Sequence, residues 1–391
     1  MATLTPSTTA APARARILAM IRSLSSSTLG REGVWHAEFS GVNRFRYRYR
    51  HGRVTAVERQ GRVTISDVAR TAGVSVATVS KVINGRYGVA VATSARVQEV
   101  IDELGYESSL VARSLRSTRT NVIGILVAEF EPFSTELLKG TSSAIADTGY
   151  ELLAYSGGGR HGGAVGWERR YLSRLSGTLI DGAILVTPTV VDAHPGIPVV
   201  AVDPHRGRSG LTTIDSDNMR GAYTATQYLL GLGHRRIGFL GGRPDLESAR
   251  LREEGYRTAL TEAGIPVDPA LMRIGGYRPD TADLPAHDLL TMPERPTAIF
   301  AANDLSALRT MEVARSLGLS VPGDISIIGF DNVPESAMST PPLTTIAQPI
   351  RQMGSEAIAQ LIAMMDGQAE GGAHITLPTA LIERSSCRRL T

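Results

Sequence analysis

Residues 63–84 read VTISDVARTAGVSVATVSKVIN, two short helical segments separated by a turn. Thr64 is a side chain that caps a helix, and Asp67 three residues on completes a capping box. Val68, Ala69 and Ala72 form an apolar stripe on the first segment. Gly73 stands where the chain must turn through a positive φ. Ser75 can cap the second segment, whose Val79, Val82 and Ile83 recur at helical spacing and make its buried side. Val76, Ala77, Thr78, Ser80, Lys81 and Asn84 are left outside or at the ends. Caps, turn and polar outer face together spell a helix-turn-helix, whose second helix enters a DNA major groove.

The chain has 391 residues and a net charge of +3, a length for two or three domains. The charge is uneven. Residues 1–60 hold ten arginines against three acidic residues, residues 61–119 are net +3, and the remainder is net −7. A polyanion partner therefore suits the N-terminal third alone. One cysteine, Cys387, excludes an internal disulfide and a cysteine-based metal site. There is no apolar run of membrane-spanning length and no clear secretion signal. The expected location is the cytoplasm, with no membrane partner.

Residues 1–60 show no sustained periodicity and are read either as a disordered basic extension or as a mis-assigned start, with initiation near Val57. Within them RFRYRYRHGR, residues 44–53, interleaves arginine with aromatics, a pattern that can bind nucleic acid. The headpiece occupies 61–107 and is completed by a third helix over 93–104. Residues 108–119 contain SLVARSLR, too short to be a stable helix by itself. From residue 120 to 391 apolar strands alternate with helices. Strands are expected at 122–128, 151–155, 182–186, 199–202, 236–240, 298–301 and 325–330, and helices at 135–146, 220–230, 247–263, 305–317 and 351–365. Continuously apolar strands alternating with helices predict parallel sheets covered on both faces. The length predicts two lobes, with ligands at the carboxyl ends of the strands or between the lobes.

Several stretches, in order, resemble the lactose/galactose repressor (LacI) family of bacterial transcription regulators: TISDVARTAGVSVATVSKVING, ELGYESSLVARSLR, NVIGILV, LGHRRIGFLGG, RPTAIFAANDLSA, VPGDISIIGFDN and PPLTTIAQPI. The resemblance covers about residues 62 to 387. It implies an α/β protein with an all-α helix-turn-helix headpiece, a hinge helix and a two-lobed periplasmic-binding-protein-like core with parallel sheets. It also implies a homodimer on a pseudo-palindromic operator.

By that similarity Val76, Ala77 and Lys81 occupy the base-reading positions. Val76 and Ala77 offer apolar contact, for instance to a thymine methyl, and Lys81 can donate to guanine N7 or O6. Thr78, Ser80, Asn84 and Arg86 are placed for phosphates, which fix register, and Thr64 joins this set. Leu115 matches the leucine that the family wedges into the central operator step, a device that kinks DNA, with Ala112 beside it and Arg113 near the backbone. The family usually starts its hinge with proline; Ser108 stands there instead, so the hinge helix is expected to be disordered without DNA.

The resemblance places an effector between the lobes. Arg250 matches a core arginine whose planar fork suits bidentate contact. Asn303, Asp331 and Asp203 follow strands and suit sugar hydroxyls; Tyr277 is placed to stack, and Phe133, Ser134 and Gln348 complete the walls. Glu131 replaces a neutral residue of the family's first loop. The site reads as acidic and hydroxyl-seeking, which points to a neutral sugar or oligosaccharide. No cofactor, metal set or catalytic constellation is evident: the glycine run 157–163 lacks dinucleotide spacing, Asp215 and Asp217 read as a capping loop, and the histidines lack ligand spacing. The chain is therefore expected to be a ligand-released repressor and not an enzyme. A co-repressed regulator or an activator is the alternative, and a transport-associated sugar-binding protein fits less well.

Overall fold

In the computed structural model the described residues are 32–39, 43–50 and 53–57, for which backbone alone is considered, and 63–83, 85–106, 119–156, 165–190, 196–206 and 210–390. The chain divides into two compact units, residues 1–108 and 109–391.

In the first unit the capping box forms as the sequence dictates. The Asp67 N–H donates to Thr64 Oγ1 at 3.4 Å, and Asp67 Oδ2 accepts the Thr64 N–H at 2.9 Å. Helix Ile65–Ala72 ends on Gly73 at φ 65°, and Ser75 Oγ accepts from the Thr78 N–H at 3.1 Å to start helix Val76–Ile83. The third helix, Val91–Leu104, starts two residues before the expected position. Val68, Ala72, Val79 and Val97 are fully buried between the three helices. Ahead of them lie three antiparallel strands, β1 (Glu32–Phe39), β2 (Asn43–Arg50) and β3 (Arg53–Val57). The extension thus carries strands where the sequence reading finds no periodicity, although residues 44–50 do alternate with period two.

The second unit contains two six-stranded sheets. One is built from β4 (Val122–Val127), β5 (Glu151–Ser156), β6 (Gly182–Val186), β7 (Val199–Val202), β8 (Thr212–Ser216) and β14 (His374–Leu377), in the order β14-β8-β7-β6-β4-β5, all parallel. The other is built from β9 (Ile237–Gly241), β10 (Met272–Ile274), β11 (Ala298–Ala301), β12 (Ser326–Asp331), β13 (Thr344–Ala347) and β15 (Ala380–Ile382), in the order β10-β9-β11-β12-β13-β15. Only β15 runs antiparallel within it. The chain therefore passes between lobes three times, after β8, after β13 and between β14 and β15.

Strand alternation explains the layers. Ile123, Ile125 and Val127 of β4 face one core with Ile184 and Val186, under helices Pro132–Ile145 and Ile350–Met365. Val122 and Leu126 face the other with Ala183 and Leu185, under helix Trp167–Leu175. Both faces are covered, so β4 and β6 are apolar throughout.

The two helices of the first face approach closely through glycines. A Cβ at Gly140 would lie 2.0 Å from the Arg351 carbonyl oxygen, and one at Gly354 would lie 2.4 Å from that of Leu137. A backbone atom cannot rotate out of the way, so Gly140→Ala must push the helices apart. The expected cost is about 1–3 kcal/mol, in the range for overpacked cores, read as a lower melting temperature of the ligand-free protein. An unchanged Tm would show that this contact is not tight.

Candidate functional site

On helix Val76–Ile83 the fully buried Val79 faces inward, while Val76, Ala77 and Lys81 are exposed. At about 100° per residue these three fall within an arc of roughly 140°. Thr78 is half-buried and its hydroxyl lies 2.9 Å from Ser75 Oγ. Thr64 keeps its cap and Arg86 is exposed. Asn84, Ala112, Arg113 and Leu115 lie outside the described residues.

Between the two lobes lies a cleft of about 450 Å³. Phe133, Ser134, Asp203, Tyr277, Asn303, Asp331 and Gln348 all line it. The strands place these groups by ending at the cleft: Asp331 is the last residue of β12, Asp203 follows β7, and Gln348 follows β13. Asp203, Tyr277 and Asp331 have φ of 48°, 71° and 116°, left-handed conformations that cost energy in L-residues and gather at binding sites.

Arg250 is corrected. It sits outside the cleft, mostly exposed and paired with Glu247 one turn away. The cleft arginine is Arg252. Two positions along a helix are about 200° apart, so the two side chains of SARLR cannot share a face. The signal was available in the sequence. Arg252 falls in register with Ser248, Gly255, Tyr256 and Ala259, the small and apolar residues of helix Glu247–Glu262 that the structure buries. Arg250 falls in register with Glu247, Glu253 and Glu254.

Arg252 is 3% exposed. Its Nε donates to Asn218 Oδ1 at 2.8 Å, and its Nη1 donates to the Ala302 carbonyl at 2.5 Å and to Asp331 Oδ1 at 3.3 Å. The guanidinium lies 3.8 Å from the Phe330 ring centroid and 5.4 Å from that of Tyr277. Gln348 Nε2 donates to the same Asp331 oxygen at 2.6 Å. Burial pushes the Asp331 carboxyl up to about 6, against the opposing pull of Arg252 and the Gln348 hydrogen bond. Enclosure also raises Asp203, again against Arg252.

Other cleft groups serve local structure as well. Asn303 Oδ1 caps helix Asp304–Ser316 by accepting the Ser306 N–H at 3.0 Å, and its Nδ2 donates to the Tyr277 carbonyl at 3.0 Å. Ser134 Oγ accepts the Glu131 N–H at 2.9 Å. The Tyr277 ring lies against Gly242, where a Cβ would come within 2.2 Å of it. Asp304, buried beneath the cleft, holds Val333 N at 2.9 Å and the Thr345 hydroxyl at 2.5 Å. Sequence reasoning also missed Glu129, Trp167, Thr189, His205, Arg243 and Arg278, all of which line the cleft. They sit on loops, or on a helix that follows one, where no periodicity marks them. Of the two residues read from sequence as a capping loop, Asp217 accepts the Arg220 N–H at 2.9 Å, whereas Asp215 lies within β8, 3.5 Å from His374 Nδ1.

Arg252→Ala leaves Asp331 charged and buried without its cation, a loss that costs about 3–5 kcal/mol. Arg250→Ala removes only an exposed pair and is expected to be near neutral. The Arg252→Ala deficit should shrink as pH falls from 8 to 5.5. Asp331 has a raised carboxyl, so its penalty is present when it is ionised and is lost on protonation. Equal melting temperatures for the two variants at pH 8 would contradict the assignment.

Residues 64–109 match the description of bacterial regulatory proteins of the lacI family, and residues 226–387 match that of a periplasmic binding protein-like domain. The HTH-type transcriptional repressor PurR of Vibrio atlanticus is 36% identical over 335 residues, 84% of this chain and 99% of the relative. PurR of Pectobacterium carotovorum is also 36% identical, over 83% and 96%. Among solved structures, the transcriptional regulator CelR–cellobiose complex is 31% identical with a TM-score of 0.63, over 83% of this chain and all of that one. The lac repressor dimer bound to operator and the anti-inducer ONPF is 27% identical with a TM-score of 0.70, over 84% and all of that chain. A DNA-reading headpiece, a two-lobed cleft core and these relatives converge: the chain belongs to the LacI family of transcriptional regulators and is a repressor, not an enzyme.

Proposed function

We propose that this repressor binds a pseudo-palindromic operator as a homodimer and is released by a neutral sugar or oligosaccharide held between the lobes. The observation that carries the effector class is the pairing of the cleft arginines. Arg252 faces Asp331, Arg278 faces Glu129 and Asp280, and Arg243 faces Asp245. Among the described residues, no arginine in the lining is left to neutralise a phosphate. Asp203 and Glu131 add acceptors for hydroxyl donors. The CelR relative in complex with cellobiose supports the class, and the lac repressor dimer on operator supports the assembly.

The proposed roles combine the cleft lining with the family resemblance of the headpiece and hinge. Asp331 and Asp203 accept sugar hydroxyls, Asn303 and Gln348 add amide contacts, and Tyr277 and Phe133 supply apolar walls; Arg252 orients Asp331. At the other end Lys81 reads a base, Val76 and Ala77 make apolar contact, and Thr64, Thr78, Ser80, Asn84 and Arg86 fix register on phosphates. Leu115, with Ala112 and Arg113, kinks the centre of the site. Induction requires only that the sugar bind the non-operator state more tightly than the other; the reverse preference gives co-repression.

Calorimetry of the full chain against glucose, cellobiose, xylobiose, glucose 6-phosphate, hypoxanthine and guanine tests the class. Binding of a neutral sugar that lowers operator affinity is expected. Tight binding of a purine or phosphosugar with no neutral sugar bound overturns it. Lys81→Ala should weaken operator binding by ~1–3 kcal/mol, the scale of one specific base contact, and relax preference at one base pair per half-site. An equal loss on all sequences would make Lys81 a phosphate contact instead.

A further inference from the structure

The mouth of the cleft is crossed by an ion pair whose partners belong to different lobes. Arg278, in the second lobe, donates from Nη1 to Glu129 Oε2 at 2.8 Å, and Glu129 belongs to the first lobe, in the loop after β4. The same guanidinium donates from Nε to Asp280 Oδ1 at 3.2 Å, and Asp280 lies two residues away on its own lobe. One planar cation thus holds two carboxylates on different edges, one fixed to each lobe.

The backbone under Arg278 is anchored. The carbonyl of Tyr277 accepts from Asn303 Nδ2 at 3.0 Å, and the carbonyl of Arg278 accepts from Thr281 Oγ1 at 3.1 Å. Arg278 is the N-cap of helix Pro279–Leu290. Only its side chain is free to change partner. Opening the cleft withdraws Glu129 with the first lobe but leaves Asp280 in place.

We propose that Arg278 is a clasp that exchanges between Asp280 alone in the open cleft and Asp280 plus Glu129 in the closed one, and so sets how long the cleft stays shut. Glu129, Arg278 and Asp280 are all more than half exposed, so the clasp is weak and screened by salt. That suits a closure which must reverse each time a ligand leaves. Asp280 has the opposite effect from Glu129: by keeping Arg278 partnered in the open state it lowers the cost of letting go. The regulatory consequence, a longer-lived effector complex, rests on the cleft being the effector site. The closure itself does not.

The test therefore uses no ligand. Nitroxides at Ser173 and Glu254, both exposed and on different lobes, report the inter-lobe distance by pulsed electron resonance in the full chain with Cys387→Ser. Glu129→Gln is expected to lower the closed-to-open ratio about two- to fivefold, the range of an exposed ion pair. Asp280→Asn is expected to raise it. Salt from 50 to 500 mM should open the parent protein and leave Glu129→Gln unchanged. A Glu129→Gln distribution equal to the parent's, or an Asp280→Asn shift towards the open form, overturns the clasp. Neither outcome bears on which sugar binds.

Discussion

A guanidinium cannot be taken out of water unless its charge and its donors are satisfied, and that constraint organises the second lobe around Arg252. Four pieces of chain meet at this side chain. Helix Glu247–Glu262 carries it, and the head of helix Asn218–Gly231 supplies an amide oxygen. The residue after β11 supplies a carbonyl, and β12 supplies both the carboxylate of its last residue and the ring face of Phe330 beside it. Each partner comes from the end of an element that faces the other lobe. Satisfying one buried cation therefore fixes the floor of the cleft before any ligand arrives.

The same network reaches the crossovers. Gln348 stands in the passage after β13, gives its amide N–H to Asp331 of the second lobe, and accepts from Ser216 of the first. Asn218, which takes Arg252 Nε, opens the helix after the first passage, and the Asp217 carbonyl accepts from Thr379 of the third passage at 3.3 Å. Where the lobes are joined, backbone rotation and cleft chemistry are thus in the same residues. A ligand that changes the hydrogen bonding of Asp331 therefore acts directly on residues of the segments that join the lobes.

Much of this was legible because apolar period and caps reflect local physics. Helix Asp304–Ser316 and strands β6, β7 and β11 fall within a residue of their expected spans, being either continuously apolar or sharply capped. The strands not anticipated tell why the rest was hidden. β8 and β13 read TTIDS and TTIA, polar on paper, yet they lie within the sheets with their threonines buried. Their hydroxyls find partners far away in sequence: Thr345 reaches Asp304, and Thr213 reaches His374. Helix Pro279–Leu290 contains Pro285, a residue that argues against a helix in a single sequence. The cleft was legible residue by residue where a strand end marks the position, and misread at Arg250, where helix face decides and two arginines stand two apart.

Helix Val76–Ile83 presents Val76 and Ala77, which donate no side-chain hydrogen bonds, and one cation, Lys81. So sparse a face discriminates weakly by itself, since each good base contact is worth only about 1–3 kcal/mol. In the proposed homodimer, specificity then comes from two headpieces held at a fixed spacing, which the core is proposed to alter. A headpiece richer in base-contacting side chains would bind its half-site alone and escape that control. On the proposed function, the sparseness of that face is what leaves operator binding dependent on the core.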